Sequence, residues 1–396
     1  MTKPSPGVTG QPPMPEEIMS NTPGSFAWGV LHDRHPAIIQ QIGAALPYPP
    51  HIRQALESLR TELDVTIKPL RDDAHDADDW ARWGHDYLGE CWYDVPFLWA
   101  ESYFYRKLLE AVDYFHRGPW NSIDPFQPQK SAELRDPGLE ADLAALSALQ
   151  TLPLEEQITA ALDAALWGNR ADLGFLLSDP TVAHRKQAGA LVADDGDKVR
   201  DLLTAGGLHT VCLVADNAGR ELIPDLVLID LMLRTSSART VDLHLKPHPY
   251  YVSDATTADL IACLRRLSEV DSTRPVAQRL CLAAADGRLL ISAHPFYSAP
   301  LTYHDLPADL SKVFAKAGLV ILKGDLNYRR LVGDRHWPTA TSFSEAVAYF
   351  PTRVAALRTL KSDVVIGLGA DEVSTLDDEA DNWRINGTHG LIQVSG

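Results

Sequence analysis

The strongest constraint on the fold is a change of hydrophobic pattern near residue 199, where short apolar runs begin to alternate with amphipathic segments. LHTVCLVA (208–215), TVDLHLK (240–246) and GLVILK (318–323) have the length and apolar content of buried strands. Segments with helical periodicity follow the first two runs, and SDVVIGL (362–368) is predicted to be a further strand. Alternating strands and helices are typical of parallel sheets, so we predict a three-layer α/β/α, Rossmann-like domain.

The first half of the chain has a different pattern. From about Phe26 to about Asp179, apolar residues recur at three- and four-residue steps, as in VPFLWAESYFYRKLLEAVDYF (95–115), which predicts an all-helical domain. Residues 1–24 carry six prolines among polar side chains and predict a mobile tail. The predicted division is therefore a disordered tail (1–24), a helical domain (25–195) and an α/β domain (196–396).

Composition narrows the classes of function. The formal charge of −17, from 53 acidic and 36 basic side chains, opposes binding to a nucleic-acid backbone. The four cysteines are widely spaced without a CxxC pair, so neither a disulfide framework nor a structural zinc site is expected, and a reducing cytoplasm fits best. No signal peptide or long apolar run is visible, so we expect neither a secreted nor a membrane protein.

Polar side chains follow the predicted strands at their carboxyl ends, where open α/β sheets bind ligands. Asp216 and Asn217 end the first strand, and Asp254 follows the second. Two carboxylates and one amide oxygen form a hard ligand set that suits magnesium or manganese. The segment GDLNYRR (324–330) follows the third strand and adds Asp325, Asn327 and Arg329.

Each of these features also has a structural interpretation. Asp-Asn ahead of a helix is commonly an N-cap, and Asp254 before ATTADL has the same alternative. The acidic cluster Asp72–Asp79 lacks the glycine and the final glutamate of a calcium loop and is interpreted as a solvated turn. His244 and His248 have no further ligand at zinc spacing, and they are interpreted as structural or close to substrate.

Four segments, taken in order, resemble the metal-dependent damage-control phosphatases, in particular the subfamily with an RTxK motif. They are VADNAGRELIPDLVLIDLML, KPHPYYVSD, LVILKGDLNYRRLVGDRHW and LRTLKSDVVIGL. In the helical half, GSFAW, PFLWAESYFYRK and ALWGN are also similar to that subfamily. The resemblance therefore extends from about Gly24 to the C-terminus.

The resemblance implies an activity and a set of site residues. It implies hydrolysis of small phosphomonoesters such as fructose-1-phosphate and fructose-6-phosphate, with manganese, cobalt, nickel or magnesium bound by Asp216, Asn217 and Asp254. It implies substrate binding by Glu221, by Lys361 of the RTxK motif and by the DLNYR segment, which is Asp325, Leu326, Asn327, Tyr328 and Arg329.

These residues suit phosphate hydrolysis, and several roles stay open. Either Asp254 or Asp216 can accept the proton of the attacking water. Lys361 offers a compact positive charge, whereas Arg329 can grip the phosphate or pair with a neighbouring acid. Asn327 and Glu221 are predicted to bind sugar hydroxyls. A role in the core, with substrate contact as the alternative, is predicted for Asp33, Arg34, Trp92, Glu101, Tyr105, Arg106, Trp167 and Asn169.

The main competing function is methyl transfer from S-adenosylmethionine to protein carboxylates, an activity attributed to animal members of the same subfamily. The strand at 208–215 runs into Asp-Asn-Ala-Gly and not into the glycine-rich loop of Rossmann-type methyltransferases. A silent sugar-phosphate sensor is the third candidate. The intact ligand set favours the hydrolase.

Overall fold

The computed structural model describes residues 14–168 and 190–396, and its centre is a seven-stranded sheet. The strands follow the order β1-β7-β6-β5-β2-β3-β4, and all neighbouring pairs are parallel except β6 and β7. Their bounds are β1 Ala190–Asp194, β2 Leu208–Val214, β3 Ala238–Leu245, β4 Leu289–Ala293, β5 Leu319–Lys323, β6 Val354–Thr359 and β7 His389–Ser395.

Helices cover both faces of this sheet. The α-helices are α1 Phe26–Gly29, α2 His35–Ala45, α3 Pro50–Glu62, α4 Ala77–Trp83, α5 Phe97–Ala111, α6 Gln127–Leu134, α7 Leu139–Ala148, α8 Leu154–Trp167, α9 Gly196–Ala205, α10 Leu222–Arg234, α11 Thr257–Glu269, α12 Arg274–Ala285, α13 Ala308–Lys316, α14 Gly324–Val332, α15 Phe343–Ala346 and α16 Ala370–Glu379. A π-helical turn, Val30–Arg34, joins α1 to α2.

The period-2 alternation of each strand divides the core into two layers. On β2, Val211 and Leu213 pack with α8 and α10–α12, whereas Cys212 and Val214 pack with α13 and α14 on the other face. The predicted three-layer α/β/α class is therefore confirmed. The aromatic-rich segment around α5 forms a separate core with α2 and α3.

The direction in which successive strands are added to the sheet reverses between β2 and β5. From β2 the chain continues to β3 and β4 on one side, whereas from β5 it continues to β6 on the other. This is the switch point of the sheet, and open α/β sheets bind ligands at its carboxyl edge, between the loops that follow the two strands.

The predicted strand SDVVIGL (362–368) is wrong, because this segment is an irregular loop and the strand lies just before it, at β6. The side chain of Arg358 donates hydrogen bonds to the carbonyl oxygens of Ser362 and Val364, so these groups need no sheet partner. Val364 and Ile366 are still buried, which explains the apolar pattern.

The structure also shows how the predicted segments meet. Residues 16–20, in the stretch predicted as a mobile tail, are packed: Ile18 is buried, and it exchanges backbone hydrogen bonds with Asp334 and Phe97. Helix α8 and strand β1 both precede the predicted boundary at 195. Nevertheless, α8 packs on α9 and α10, and β1 pairs with β7. The division into two domains remains a prediction.

Candidate functional site

Two loops at the carboxyl edge of the sheet are joined by their backbones. Asn217, just after β2, forms an antiparallel bridge with Asp254, in the loop after β3. The N–H of Ala218 donates to the carbonyl of Ser253 at 2.7 Å, and the N–H of Ala255 donates to the carbonyl of Asp216 at 2.9 Å. The structure therefore brings the three predicted metal ligands, Asp216, Asn217 and Asp254, onto paired stretches of backbone.

None of these three residues is a helix cap, which was the alternative interpretation. Helix α10 begins at Leu222 with Glu221 at its N-cap, five residues after Asp216. Helix α11 has Thr256 at its N-cap, and Thr256 and Asp259 complete a capping box without Asp254. The carboxyl groups of Asp216 and Asp254 are therefore not used to cap these helices.

The side chains around Asn217 form a connected polar cluster. The Asn217 amide donates to Asp216 Oδ2 at 3.0 Å and to Glu221 Oε2 at 2.8 Å, and its oxygen accepts from Ser253 Oγ at 2.7 Å. Asp254 Oδ2 accepts the backbone N–H of Tyr251 at 3.0 Å. The amide nitrogen thus faces the carboxylates of Asp216 and Glu221, and a half-turn of the amide group brings its oxygen, the predicted ligand atom, to the carboxylates that suit a hard divalent cation.

The electrostatics of the cluster point the same way. The pKa of Asp216 is raised well above its usual range, first because the surrounding protein desolvates the carboxylate and then because Glu221 and Asp254 are negatively charged neighbours. Lys361 and Lys246 oppose this shift but do not cancel it. A bound cation relieves the same repulsion, so the residues present fit a divalent metal.

Gly324 packs closely against the Asp216 side chain. Its φ of +83° lies in the left-handed region, and a Cβ built there would lie only 1.9 Å from Asp216 Oδ2. The backbone at the start of α14 therefore packs directly against this carboxylate, which only glycine permits.

Lys246, at the end of β3, is a site residue that sequence reasoning missed. Its side chain is buried, donates to the carbonyl of Tyr297 at 3.1 Å and lies 3.8 Å from Asp254 Oδ2. Burial lowers its pKa, although Asp254 is close. The signal was a lysine at the carboxyl end of an apolar strand, eight residues before the predicted ligand Asp254.

The RTxK motif ties the loop after β6 to α14. Asp325 Oδ1 accepts the Arg358 Nε–H at 2.8 Å, the backbone N–H of Lys361 at 3.0 Å and the Ser362 hydroxyl at 3.1 Å. Burial opposes ionisation of Asp325, but Arg358 and Arg329 lower its pKa overall. Asp325 and Arg358 thereby hold Lys361, whose Nζ lies 3.7 Å from Glu221 Oε1.

The other predicted substrate residues of DLNYR are buried against protein groups. Asn327 donates to the carbonyls of Lys323 and Ala215, and Tyr328 donates to Gln393. Leu326 belongs to a small apolar cluster with Leu98 and Tyr250. Except for Asp325, whose carboxylate holds the loop, these side chains secure α14, and its N-terminus is the part of the motif nearest the site.

Arg329 adopts the second of its two predicted roles. Its guanidinium makes a two-point contact with Asp334, at 2.8 Å for both bonds, and a third with Glu101 at 2.8 Å. Its side chain is 3% exposed. Arg329 is therefore a buried ion-pair residue and does not present a free fork to phosphate.

The candidates from the helical half are mostly structural. Glu101 binds Arg329 and accepts the Tyr251 hydroxyl, Tyr105 stacks on Tyr251, and Arg106 is held by Asp76. Trp92 and Trp167 are buried, whereas Asp33 and Arg34 are exposed. The pKa of Arg34 is raised, first by Tyr105 and also by Glu101, Tyr251 and Asp325. Asn169 lies outside the described residues.

Similar proteins cover nearly the whole chain. Residues 30–376 match the damage-control phosphatase ARMT1-like domain family. Relatives named damage-control phosphatase ARMT1 include those of Danio rerio, 27% identical over 96% of this chain and 97% of that protein, and of Xenopus laevis, 29% identical over 96% and 99%. The Homo sapiens protein is 26% identical over 97% and 99%.

A DUF89 family protein from Pyrococcus horikoshii aligns in structure with a TM-score of 0.45 and 17% identity, over 85% of this chain and 94% of that one. Among the helices of the described residues, none is both long enough and apolar enough to cross a membrane.

Proposed function

Because the chain belongs to the damage-control phosphatase ARMT1-like domain family of metal-dependent phosphatases, we propose that it hydrolyses small sugar phosphates. The proposed substrates are phosphomonoesters of the fructose-1-phosphate or fructose-6-phosphate type, and the proposed cation is Mn²⁺, with Co²⁺, Ni²⁺ or Mg²⁺ as alternatives. The observation that supports the proposal is the backbone bridge between Asn217 and Asp254, which brings the stretches that contain the three proposed ligands together at the switch point of the sheet.

Asp216, Asn217 and Asp254 would hold the divalent cation. When bound, the cation supplies positive charge for the phosphoryl oxygens and lowers the pKa of water in the site. The raised pKa of Asp216 supports this assignment, because the carboxylates repel one another until a positive charge joins them.

The chain's own residues would orient the phosphate and move a proton. Lys361 is half-exposed beside Glu221 and can contact an incoming phosphate. The N-terminus of α14, which begins at Gly324 against Asp216, directs backbone N–H groups at an anion. Asp254 or Asp216 accepts the proton of the attacking water, and Glu221 binds a sugar hydroxyl.

The location proposed for this reaction is the cytoplasm. All four cysteines are free thiols, and two of them, Cys212 and Cys263, are buried, which is consistent with a reducing compartment.

Phosphate release from a panel of sugar phosphates tests the proposal. The protein is stripped with EDTA and assayed with and without added Mn²⁺, alongside Asp254→Asn and the matched surface variant Asp286→Asn, whose carboxylate is 50% exposed. We expect Mn²⁺-dependent hydrolysis by the wild type and Asp286→Asn but not by Asp254→Asn. A parallel assay supplies S-adenosylmethionine and a protein acceptor. Methyl transfer by the metal-free protein, without phosphate release, would replace the hydrolase with the methyltransferase.

A further inference from the structure

A second cluster of metal-binding side chains lies within the sheet, before the catalytic edge. Cys212 on β2 and Asp242 and His244 on β3 each offer one ligand atom, and these atoms all lie within 4.8 Å of one another. Cys212 is aligned with Asp242 across the parallel pair, and His244 is two residues further along the same face. All three are buried, in the layer that contains Tyr297 and Phe314.

The outer atoms of the cluster are held by hydrogen bonds, whereas its inner atoms are not. His244 Nδ1 is 2.8 Å from the Tyr297 hydroxyl, and Asp242 Oδ1 accepts the Ser292 hydroxyl at 2.7 Å. His244 Nε2 is buried, and within the described residues it lies in ion-pair range of Asp242 Oδ2 but makes no hydrogen bond of good geometry. A buried nitrogen without a hydrogen bond is costly, so it requires an explanation.

One of the ligand-to-ligand distances matches that of a tetrahedral ion. His244 Nε2 lies 3.3 Å from Asp242 Oδ2. Imidazole and carboxylate ligands about 2.0 Å from a tetrahedral Zn²⁺ are separated by roughly the same distance. In the tautomer whose Nδ1–H donates to the Tyr297 oxygen, the Nε2 lone pair is free for an ion, and an outer hydrogen bond of this kind commonly orients a ligating histidine.

The charges also match. A divalent ion with one thiolate, one carboxylate and one neutral imidazole has zero net charge, which is the arrangement that burial favours. Binding releases the Cys212 proton to solvent, and water completes the coordination. Thiolate and imidazole favour zinc or cobalt over magnesium, so this set differs in preference from the all-oxygen site.

We propose that Cys212, Asp242 and His244 bind a second divalent ion of the zinc type, separate from the catalytic cation. The ion joins β2 to β3, the two strands that lead to Asp216 and Lys246. Its role is to fix these strands, because all three ligand side chains are buried.

Cobalt spectroscopy tests the proposal directly, because the catalytic site contains no thiol. The full chain is loaded with Co²⁺ and its near-ultraviolet thiolate-to-cobalt band is measured in the wild type, in Cys212→Ser and in Cys263→Ser, a matched variant of another fully buried cysteine. We expect the band in the wild type and in Cys263→Ser and its loss in Cys212→Ser. Absence of the band from the folded wild type overturns the proposal without any variant.

Zinc content gives an independent measurement. In the Asp254→Asn background, which lacks a ligand of the catalytic cation, we expect one equivalent of Zn²⁺ per chain, and none after His244→Gln is added. Circular dichroism establishes that each variant is folded. Zinc content below about half an equivalent in folded Asp254→Asn, or unchanged content after His244→Gln, contradicts the second site.

Discussion

Lys361 and Arg329 come from neighbouring parts of the same site, and they are held in opposite ways. Lys361 is 47% exposed, and its Nζ lies 3.7 Å from Glu221, a distance at which the pair is loose. Arg329 is 3% exposed, and three of its N–H groups are bound by Asp334 and Glu101. We call the first pair, Glu221 and Lys361, the rim, and the second group, Glu101, Arg329 and Asp334, the anchor.

The difference shows that two residues of similar motifs can have different structural environments. Both cations belong to segments that resemble substrate-binding motifs, yet only Lys361 is exposed, whereas Arg329 is buried. The anchor joins α5 to α14 and so connects the helical half to the sheet. Variants of the rim should therefore change catalysis, and variants of the anchor should change stability.

Asp216→Asn is expected to have the largest effect on activity of all the variants. Loss of one carboxylate ligand should lower kcat/KM by roughly a thousandfold or more, as removal of a preorganised charge does in other active sites. The metal-free variant should nevertheless be at least as stable as the wild type, because the raised pKa of Asp216 means that its charge destabilises the fold. Phosphate release and thermal unfolding in EDTA measure the two effects.

The same variant has a defined pH dependence. Unfolded Asp216 titrates near its ordinary value of about 3.9, whereas the folded group titrates higher. Between the two values the folded state binds more protons, so the wild type loses stability as pH rises through this interval. The stability advantage of Asp216→Asn should therefore be absent below about pH 4 and grow towards neutrality. A constant difference from pH 3 to 7 would contradict this account.

Arg329→Met is expected to have the largest effect on stability. It leaves Glu101 and Asp334 buried without their cation, which should lower the free energy of unfolding by about 3–5 kcal/mol. Urea unfolding measures this change. If Arg329→Met is as stable as the wild type but no longer binds substrate, the distinction between anchor and rim is wrong.

Lys361→Met should reverse that pattern. Loss of a charged contact to phosphate should lower kcat/KM by roughly ten- to a hundredfold, with little change in melting temperature because the side chain is half-exposed. Lys316→Met, at an exposed position on α13, is the matched control and should keep full activity. Equal losses in the two variants would assign the effect to surface charge in general.

Glu221→Gln should have the smallest effect on stability. A loose, partly exposed ion pair contributes about 0–1 kcal/mol, so the melting temperature should hardly change. The variant should raise the KM for sugar phosphates more than the KM for a phosphomonoester without hydroxyl groups, such as an aryl phosphate. Equal changes for both substrates would remove the proposed contact with sugar hydroxyls.

The sequence was sufficient to predict strands that are largely apolar and the loops that follow their carboxyl ends. The apolar runs at β2, β3 and β5 were recognisable because β5 and the carboxyl-terminal halves of β2 and β3 are buried on both faces. Asp216, Asn217 and Asp254 followed from the rule that ligands bind beyond strand ends, and their loops are indeed paired.

Other features depend on contacts far apart in the chain. β4 is an edge strand in which Leu290 and Ile291 are exposed. β1 is a strand that the local sequence does not indicate. The burial of Arg329 depends on Glu101, 228 residues away, so no local pattern separates it from a phosphate ligand. The loop after β6 has the composition of a strand but does not form one, because Arg358 donates hydrogen bonds to its carbonyl oxygens.

The most direct test of the central claim is anomalous diffraction at the manganese edge from crystals soaked with Mn²⁺. The account predicts one strong peak within about 2.3 Å of oxygen atoms from Asp216, Asn217 and Asp254. Manganese bound elsewhere, with these three side chains turned away from one another, would contradict it.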